Sequence, residues 1–356
     1  MDRRLRLAVA EGDGIGREVV PQAIRVLRSA LEAYGETEVE LVGVPVGWVS
    51  VERFGRPLTD AVLETIAGCD ALVLGPLEVG SYPGTLEETV SPSGRIRRHF
   101  DLYANIRPSR SRGRNICGKE VDIVIVRENT EDFYADRNMF RGSGEFMPTP
   151  DVAMSLRVIT RAKSQKISEV AFRYAMGRRK KVTAVHKGNV LRMTDGLFLQ
   201  AFRQVASRYP EVKAEDRIVD STAYDMVLHP EKFDVIVTTN MFGDILSDEA
   251  AALSGTLGLA PSINAGDSFA MAQAVHGSAP DIAGKGISNP ISEILSVSML
   301  MSWLSERKGL RDLEKVAWAI DGAVDRVLRS PEDLTPDLGG RGTTVSLADS
   351  IIAEMR

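Results

Sequence analysis

Short hydrophobic runs alternate with segments of helical periodicity along most of the chain. Strands are predicted at residues 5–10, 39–44 and 71–74, because each is a short run of aliphatic and β-branched residues. Between them, the apolar positions of residues 19–34 and 58–66 recur at the spacing of an amphipathic helix. Strands that alternate with helices indicate a parallel sheet, so the sequence predicts an α/β fold.

The stretch of residues 233–248, FDVIVTTNMFGDILSD, joins a predicted buried strand to a predicted helix. Asn240 and Gly243 interrupt the hydrophobic run. Asp244 and Asp248 are four residues apart, so one face of the helix carries both carboxylates. Two such charges repel each other unless a cation or a basic side chain lies between them. Oxygen ligands near the end of a strand suit Mg²⁺ or Mn²⁺, although a solvated acidic helix start is the alternative.

Several arginines lie close to the ends of predicted apolar strands. They are Arg95, Arg97, Arg98 and Arg107 in GRIRRHFDLYANIRP, and Arg127 in VDIVIVRENTEDFY. Arginine binds carboxylates and phosphates through paired, planar hydrogen bonds, so arginines in such places are candidates for an anion site. We interpret Arg95 and Arg98 as surface charges. For Arg107 and Arg127 the sequence leaves both a surface role and an anion-binding role open.

Two further charged residues follow predicted strands. Lys187, in HKGNVLRMTDGLF, follows the strand predicted at residues 182–185. It is either a solvated strand end or a charge directed into a cleft. Asp220 ends a short strand predicted at residues 217–219 and is a third carboxylate at a strand terminus.

Loops rich in glycine and proline interrupt this pattern at residues 76–94, 255–266 and 275–290. Long loops inside a compact domain are usually functional or mobile. The backbone amides of the third loop, VHGSAPDIAGKGISNP, could hold a polyanionic cofactor, and Asp281 could accept hydrogen bonds from ribose hydroxyls. GDGIG near the start of the chain is not the dinucleotide fingerprint, because its third glycine comes too early.

Composition narrows the class of protein. The 356 residues have room for two domains, and 44% hydrophobic with 26% charged residues is typical of a soluble globular protein. The net charge of −5 argues against general nucleic-acid binding. The two cysteines, Cys69 and Cys117, suit a reducing compartment. No apolar run approaches the roughly 20 residues of a membrane span. We therefore expect a cytoplasmic protein without a membrane or nucleic-acid partner.

Taken together, these segments resemble the β-decarboxylating dehydrogenases, the family of isopropylmalate, isocitrate and homoisocitrate dehydrogenases. The shared motifs, in order along nearly the whole chain, are GDGIG, IRRHFDLYANIRP, VIVRENTE, HKGNVLRMTDGLF, FDVIVTTNMFGDILSD, HGSAPDIAGKGISNP and TPDLGG. Several long motifs in the right order are far more specific than any one of them.

The resemblance implies the two-domain α/β fold of isocitrate and isopropylmalate dehydrogenases, not a Rossmann fold, with the cleft between the domains. Residues 1–102 and 253–356 would form a discontinuous large domain with the cofactor loop. Residues 103–252 would form a second domain with the metal site, the dimer interface and an arm at about residues 139–160.

The resemblance also implies a role for each candidate residue. Tyr134 would be the general acid that delivers a proton after decarboxylation, and Lys187 would handle the hydroxyl proton. Lys187 and Asp220 would come from the other subunit of a dimer. The implied substrate-binding residues are Ser91, Arg97, Arg107 and Arg127; the metal ligands are Asp220, Asp244 and Asp248; the cofactor-binding residues are His276, Gly277, Ser278, Ala279, Asp281, Ile282 and Asn289.

The implied reaction is the oxidative decarboxylation of a small di- or tricarboxylate, a 3-carboxy-2-hydroxy acid, with Mg²⁺ or Mn²⁺. The pair Asp281–Ile282 is similar to that of NAD-dependent members, because a carboxylate accepts a bond from a free 2′-hydroxyl and repels a 2′-phosphate. We expect a homodimer, or a tetramer built from it, with active sites shared between subunits.

The residues before Arg97 bear on the substrate. Isopropylmalate enzymes carry a Glu and two Leu where this chain has Val90, Ser93 and Gly94. Isocitrate enzymes carry a Ser, matched by Ser91, and an Asn, replaced by Ser93. Homoisocitrate enzymes often have an Arg where this chain has Gly94, although Arg95 is adjacent. A loop without an apolar wall argues against an isopropyl group, and serines with an arginine suit a third carboxylate, although small residues could equally make space for a bulkier group. We therefore expect isocitrate or homoisocitrate, with 3-isopropylmalate and tartrate- or malate-type substrates as the alternatives. A silent regulatory subunit is disfavoured, because the acid–base and metal-binding residues are all present.

Overall fold

The computed structural model describes residues 4–83, 91–112, 118–134, 144–330 and 333–355. It divides into two compact units. The first contains residues 1–96, 256–263 and 267–356, and the second contains residues 97–255 and 264–266. The domain boundaries expected near residues 102 and 253 remain a prediction.

Strands and helices alternate through the described ranges. Strands β1 to β12 are Arg4–Ala10, Glu38–Gly43, Ala71–Leu74, Ala104–Arg110, Asp122–Glu128, Glu145–Thr149, Val152–Ser155, Lys181–His186, Lys213–Ile218, Val235–Thr238, Ile263–Ala265 and Ala270–Ala272. Helices α1 to α11 are Gly16–Tyr34, Trp48–Phe54, Asp60–Ala67, Pro92–His99, Arg161–Met176, Thr194–Ala206, Val219–Leu228, Asn240–Ser254, Ile291–Lys308, Arg311–Val327 and Thr344–Glu354. The predicted α/β class is confirmed. None of these helices combines the length and apolar character that crossing a bilayer requires.

The first unit is built on parallel strands in the order β2-β1-β3-β12. All four residues of β3 are buried, as its continuous hydrophobic run predicts. Helices α1, α9, α10 and α11 pack together beside them. Helix α9 buries residues on nearly every side, including Ile294, Val297 and Leu300, so it forms the centre of this core.

The second unit has the strand order β4-β5-β10-β8-β9, in which only the β4–β5 pair is antiparallel among the pairings of the described residues. Strand β10, the short run Val235–Thr238, is completely buried. Its side chains pack with Ile125 of β5, Val185 of β8 and Leu246 of α8. Helix α8 starts two residues after β10 ends, so its first turns lie at the carboxyl end of the parallel strands.

Strands β6 and β7 form a separate antiparallel hairpin in which every residue is exposed. The exposed side chains include Phe146, Met147 and Met154. Two strands without a covered face rarely persist alone in water. This hairpin falls within the arm expected at residues 139–160, of which residues 139–143 lie outside the described ranges.

Several predicted boundaries are wrong. Helix α8 begins at Asn240, not after Gly243, so the glycine lies inside the helix. Asp220 lies in the first turn of α7 and does not end a strand, because β9 already ends at Ile218. Helix α4 begins at Pro92, inside the predicted loop 76–94, since proline fits the first turn of a helix. Strand β11 lies inside the loop predicted at residues 255–266.

Candidate active site

Helix α8 places Asp244 and Asp248 one turn apart, beside arginines from β4 and β5. The Nη1 atom of Arg107 lies 3.3 Å from Oδ1 of Asp244 and 3.3 Å from Oδ1 of Asp248. Arg127 also forms an ion pair with Asp244. Both arginines are buried, whereas the carboxylate side chains keep 37% and 57% of their surface exposed. The two carboxylates therefore share a cationic partner, and neither arginine is a surface charge.

Polar side chains fix the planes of both guanidinium groups. Arg107 donates from Nε to Oδ1 of Asn105 at 2.6 Å and from Nη1 to Oγ of Ser247 at 2.7 Å. Arg127 donates from Nε and Nη2 to Oδ1 of Asn240, at 2.9 and 2.6 Å. Asn240 was predicted only to interrupt a strand. Asn240 follows one buried strand, and Arg127 lies near the end of another. This shared position at strand ends is the signal that could have identified Asn240 as a partner of the arginine.

Tyr134 lies on the same cluster. Its hydroxyl donates to Oδ2 of Asp244 at 3.1 Å, and the Arg127 guanidinium carbon lies 5.7 Å from the centre of its ring. One carboxylate thus receives bonds from a phenol on one oxygen and from guanidinium groups on the other. The predicted general acid and a predicted metal ligand are in direct contact.

Burial and charge act in opposite directions on the acidic pair. Burial penalises ionisation of Asp244, but the positive charges of Arg127 and Arg107 outweigh that penalty and hold its pKa below the usual value. The pKa of Asp248 is raised, because burial and the charge of Asp244 exceed the effect of Arg107. Burial and the charge of Arg127 lower the pKa of Arg107 to about 10. The cluster therefore concentrates positive charge that an anionic ligand would relieve.

Arg97, on α4, adds to this positive field. Its Nη1 donates to Oδ1 of Asn129 at 3.3 Å, and its charge contributes to the lowered pKa of Asp244. The three arginines predicted to bind substrate carboxylates, Arg97, Arg107 and Arg127, therefore all act on one aspartate.

Lys187 and Asp220 form a second, more exposed group. The Lys187 ammonium pairs with the Asp220 carboxylate, which lowers the pKa of that carboxyl. Within the described part of one chain, no three acidic, histidine or cysteine side chains are arranged to hold a metal ion. Asp220 therefore does not join Asp244 and Asp248 in a single chain. The assignment of Lys187 and Asp220 to the site of another subunit stays a prediction.

In the first unit, residues 275–290 have neither helix nor strand, as predicted. Helix α1 holds this loop through its first turns. The Glu18 carboxylate accepts from the backbone N–H groups of Gly284 and Gly286, the latter at 3.0 Å. The N–H of Ile15 donates to the carbonyl of Ser278 at 2.9 Å. Sequence reasoning missed Glu18, although it is only two residues after the GDGIG motif.

The far end of the loop is held by Asp337 of the TPDLGG motif, which the sequence analysis also did not single out. Its Oδ2 accepts from Nδ2 of Asn289 at 3.0 Å. Burial lowers the pKa of His276, which disfavours the charged form of its imidazole. Asp281 is exposed, and a side chain added at Gly277 would meet no neighbouring atom. The loop thus has a fixed frame and an open surface. The remaining predicted cofactor-binding residues, Ala279 and Ile282, lie in its central turn.

The region before Arg97 shows where Ser91 and Arg95 lie. The hydroxyl oxygens of Ser91 and Ser93 are 3.0 Å apart at the start of α4. Arg95 donates to the carbonyl of Leu58 at 3.0 Å and pairs with Asp60 at the start of α3. Its charge is therefore engaged within the first unit. Val90 lies outside the described residues.

Comparisons with known proteins agree with this arrangement. Residues 6–352 match the isocitrate/isopropylmalate dehydrogenase family. The chain is 42% identical to a homoisocitrate dehydrogenase of Methanocaldococcus jannaschii, over 99% of this chain and 98% of that protein. It is 43% identical to an isocitrate/homoisocitrate dehydrogenase of Thermus thermophilus, with the same coverage.

A solved structure supports the fold. The crystal structure of isocitrate dehydrogenase from Methylococcus capsulatus is similar with a TM-score of 0.88 and 38% identity, over 99% of both chains. The predicted fold of this family is confirmed. The chain therefore belongs to the isocitrate/isopropylmalate dehydrogenase family and is a decarboxylating dehydrogenase that acts on a CH–OH group.

Proposed function

We propose that the protein catalyses the NAD-dependent and divalent-metal-dependent oxidative decarboxylation of a 3-carboxy-2-hydroxy acid. The observation that carries the proposal is the cluster of Arg107, Arg127 and Tyr134 around Asp244 and Asp248. It combines anion-binding groups, a proton donor and metal-compatible oxygens within hydrogen-bonding distance of each other.

The acidic pair fits Mg²⁺ or Mn²⁺. Both ions prefer oxygen ligands, and the two carboxylates already converge on one positive group, the Arg107 guanidinium. Asp244 and Asp248 would hold the metal, with Asp220 of a second subunit. When bound, the ion would polarise the hydroxyl and the adjacent carboxylate of the substrate.

The arginines would exchange partners as substrate binds. In this structure Arg107 and Arg127 are paired with the aspartates of α8. A substrate carboxylate could bind a guanidinium group through two bonds, and it would leave the aspartate oxygens available for a cation. Burial of both guanidinium groups makes an unpaired state costly, so substrate and metal binding are expected to favour each other.

Two protons must move during the reaction. Lys187 would take the proton of the substrate hydroxyl. NAD, when bound, would supply the acceptor for the hydride of C2. Loss of CO₂ from C3 then leaves a carbanion-like carbon, to which the Tyr134 hydroxyl would donate its proton. The bond from Tyr134 to Asp244 supports this role, because it holds the phenol beside a proposed metal ligand.

NAD fits the loop of residues 275–290. Glu18 holds the loop at Gly284 and Gly286, and Asp337 holds it at Asn289, while Asp281 remains exposed. An exposed carboxylate can accept from a ribose 2′-hydroxyl and would repel a 2′-phosphate, which favours NAD over NADP.

The structure supports a polar substituent on C3 of the substrate. The described residues just before Arg97 carry the Ser91 and Ser93 hydroxyls, at the start of α4. Arg95, the neighbouring cation, is engaged with Asp60. Hydroxyl groups can bind a carboxylate without a full positive charge, so we favour isocitrate or homoisocitrate. Two relatives are named for these substrates, and a third of similar identity, 41%, is named for 3-isopropylmalate. The alternatives are 3-isopropylmalate and tartrate- or malate-type substrates.

Exposed apolar residues support a homodimer. Tyr224 and Val227 of α7 and Ile245 of α8 are all exposed, with Tyr224 keeping 67% of its surface. The β6–β7 hairpin adds the exposed side chains of Phe146 and Met154. Exposed apolar patches often mark surfaces that bind another protein. A second copy of the chain is the partner that the shared-site mechanism requires.

The central test is a coupled assay of NAD and NADP reduction. Isocitrate, homoisocitrate, 3-isopropylmalate, tartrate and malate are each offered with Mg²⁺, with Mn²⁺ and with a chelator. We expect turnover with NAD, dependence on the metal, and preference for isocitrate or homoisocitrate. Faster turnover with NADP would refute the role of Asp281. A pure homomer that turns over none of these acids would favour the silent regulatory subunit.

Two aspartate variants sharpen this assay. Asp248→Asn removes one charge of the proposed metal site, so Mn²⁺ binding measured by electron paramagnetic resonance should weaken. Asp225→Asn is the matched control, because Asp225 on α7 is paired with Arg217 and Lys232 outside the site. Equal Mn²⁺ affinity in all three proteins would place the metal elsewhere.

A further inference from the structure

Arg157 lies at the centre of a buried ion cluster in the second unit. The residue follows β7 and precedes α5, and its side chain keeps only 6% of its surface exposed. Its guanidinium pairs with Asp132 and with Asp195, both completely buried. It also donates to Oγ1 of Thr194 at 2.9 Å and to Oγ1 of Thr239 at 3.0 Å. One side chain thus joins three separate segments of the chain.

The first of these segments carries Tyr134. Asp132 lies two residues before it and adopts the left-handed conformation, with φ of 75°, which a non-glycine residue keeps only when its surroundings hold it. Two backbone bonds with Val158 fix it from the Arg157 side, at 2.8 and 3.1 Å. The Arg157 guanidinium carbon also lies 5.8 Å from the centre of the Phe133 ring.

The second segment carries Lys187. Asp195, in the first turn of α6, uses one carboxylate oxygen for Arg157 and the other to accept from the backbone N–H of Lys187. The backbone of Lys187 is therefore only one carboxylate away from Arg157. Movement of Asp195 would move the backbone from which the lysine side chain starts.

The third segment is the start of α8. Thr239 precedes the helix, and Oδ2 of Asp132 accepts from the N–H of Met241 in its first turn at 2.9 Å. Phe242 places its ring 5.3 Å from the Arg157 guanidinium carbon. This turn leads into Asp244, so the cluster also fixes the helix that bears the acidic pair.

We propose that Arg157 is a positioning residue that holds Lys187, Tyr134 and the start of α8 in one arrangement. The inference rests on the proposed function, in which Lys187 and Tyr134 are the two proton carriers. Since Lys187 is proposed to serve the site of another subunit, Arg157 would join halves of two active sites within one chain. A lysine cannot replace it, because only the planar guanidinium reaches both carboxylates and the Thr239 hydroxyl together.

The test compares Arg157→Lys and Arg157→Ala with Arg178→Ala. Arg178 is the matched control, because it also bridges two aspartates, Asp122 and the buried Asp234, in the same unit. We expect kcat to fall about 100-fold in both Arg157 variants, the usual effect of misplaced catalytic groups, while NAD affinity is unchanged. Millimolar ethylguanidinium should restore part of the kcat that Arg157→Ala has lost. It should not change the kcat of Arg178→Ala.

Hydrogen exchange provides a readout that does not depend on turnover. Amides of Lys187 and Met241 should exchange faster in the Arg157 variants than in the wild type, and normally in Arg178→Ala. Wild-type kcat in a folded Arg157 variant, or unchanged exchange at these amides, would overturn the inference. A wild type without turnover would contradict the proposed function. The exchange data would still show whether Arg157 holds the backbone at Lys187 and Met241. If Arg157→Ala does not fold, Asp195→Asn replaces it, with the same expected loss of kcat and protection.

Discussion

Two buried glutamates of the core illustrate how far burial can raise the pKa of a carboxyl group. Burial raises the pKa of Glu128 to about 7 and that of Glu293 to about 8, from a usual 4.5. Glu128 is partly compensated by bonds from Thr130 and Glu131, whereas the described contact of Glu293 is a single bond from the N–H of Ala274. Glu293 lies in the first turn of α9, just after the proposed cofactor loop.

The raised pKa of Glu293 predicts that stability falls as the pH rises. The folded state keeps its proton up to about pH 8, while the unfolded chain loses it near pH 4.5, so the folded state binds more protons between these values. One such group changes the free energy of unfolding by about 1.4 kcal/mol per pH unit. Glu293→Gln, which mimics the neutral form, should therefore raise the melting temperature at pH 8 and change it little near pH 5.

The measurement is thermal unfolding from pH 5 to pH 9, with Glu306→Gln as the control on the exposed part of the same helix. Parallel curves for wild type and Glu293→Gln across this range would show that Glu293 titrates normally. A lower melting temperature of the variant at pH 8 would contradict the neutral form directly.

At the same scale, the sequence identified the reactive residues better than the residues that hold them. Arg107, Arg127 and Asp244 stand in long motifs, and the structure brings all three together. Asn240, Glu18 and Arg157 were missed, because their partners lie far away along the chain: Asn240 is 113 residues from Arg127. Periodicity and spacing report on neighbours within an element and carry no information about such pairs.

Helix α8 shows how one element positions the site. Its first turn has to pass over Arg127, and the glycine at position 243 makes this approach possible. A Cβ atom added to Gly243 would lie 2.6 Å from Cγ and 2.7 Å from Cβ of Arg127. Because these atoms belong to the base of the arginine side chain, they cannot simply rotate away. The residue that the sequence suggested as a strand break is required for the contact between α8 and β5.

We therefore predict that Gly243→Ala destabilises the protein although alanine favours helix. Overpacking of a buried contact costs about 1–3 kcal/mol. The displaced Arg127 should also lose its bonds to Asn240 and Asp244, so kcat should fall with stability. Urea unfolding and the NAD reduction assay measure the two effects.

Gly196→Ala in α6 is the control for this variant, because a side chain at Gly196 would meet no atom within 4 Å. It should stabilise the protein by about 0.5–1 kcal/mol through helix propensity alone. If Gly243→Ala also gained stability, the close approach to Arg127 would be wrong.

Continuous hydrophobic runs of four or more residues were predictable as strands, and three-residue strands were not. Strands β3 and β10 are continuous hydrophobic runs, and their burial is complete. Strands β11 and β12 have three residues each, too few to show an alternating pattern. The start of α7 was missed because β9 passes into it without a glycine or proline, which placed Asp220 on the wrong kind of element.

At the scale of the whole molecule, the open point is whether the two proposed proton carriers, Tyr134 and Lys187, act in one chain or in a site shared by two chains. Tyr134 contacts Asp244, whereas Lys187 pairs with Asp220. Within the described residues these two groups do not combine into one metal-binding set. The family motifs indicate which residues react, and the resemblance to the family implied that two subunits share each site. Which subunit supplies each residue is a property of the assembly.

Mixed dimers test this arrangement. Lys187→Met and Tyr134→Phe should each lose about 10²–10⁴-fold in turnover and still bind NAD, because each variant removes one proton carrier. If the sites are shared, a heterodimer of the two variants contains one intact site, made of Tyr134 from one chain and Lys187 from the other. Random pairing makes half of the dimers mixed, so co-expression should restore about a quarter of wild-type activity.

The control is a double variant, Lys187→Met with Tyr134→Phe in one chain, co-expressed with the wild type. Under random pairing its mixed dimers contain no intact site, since each site lacks one of the two carriers. Activity per wild-type chain should therefore fall as the double variant is added in excess. If both residues instead act within their own chain, the two single variants stay inactive together and the double variant leaves the wild-type chains unaffected. Opposite outcomes in both mixtures thus decide between a shared site and an independent one.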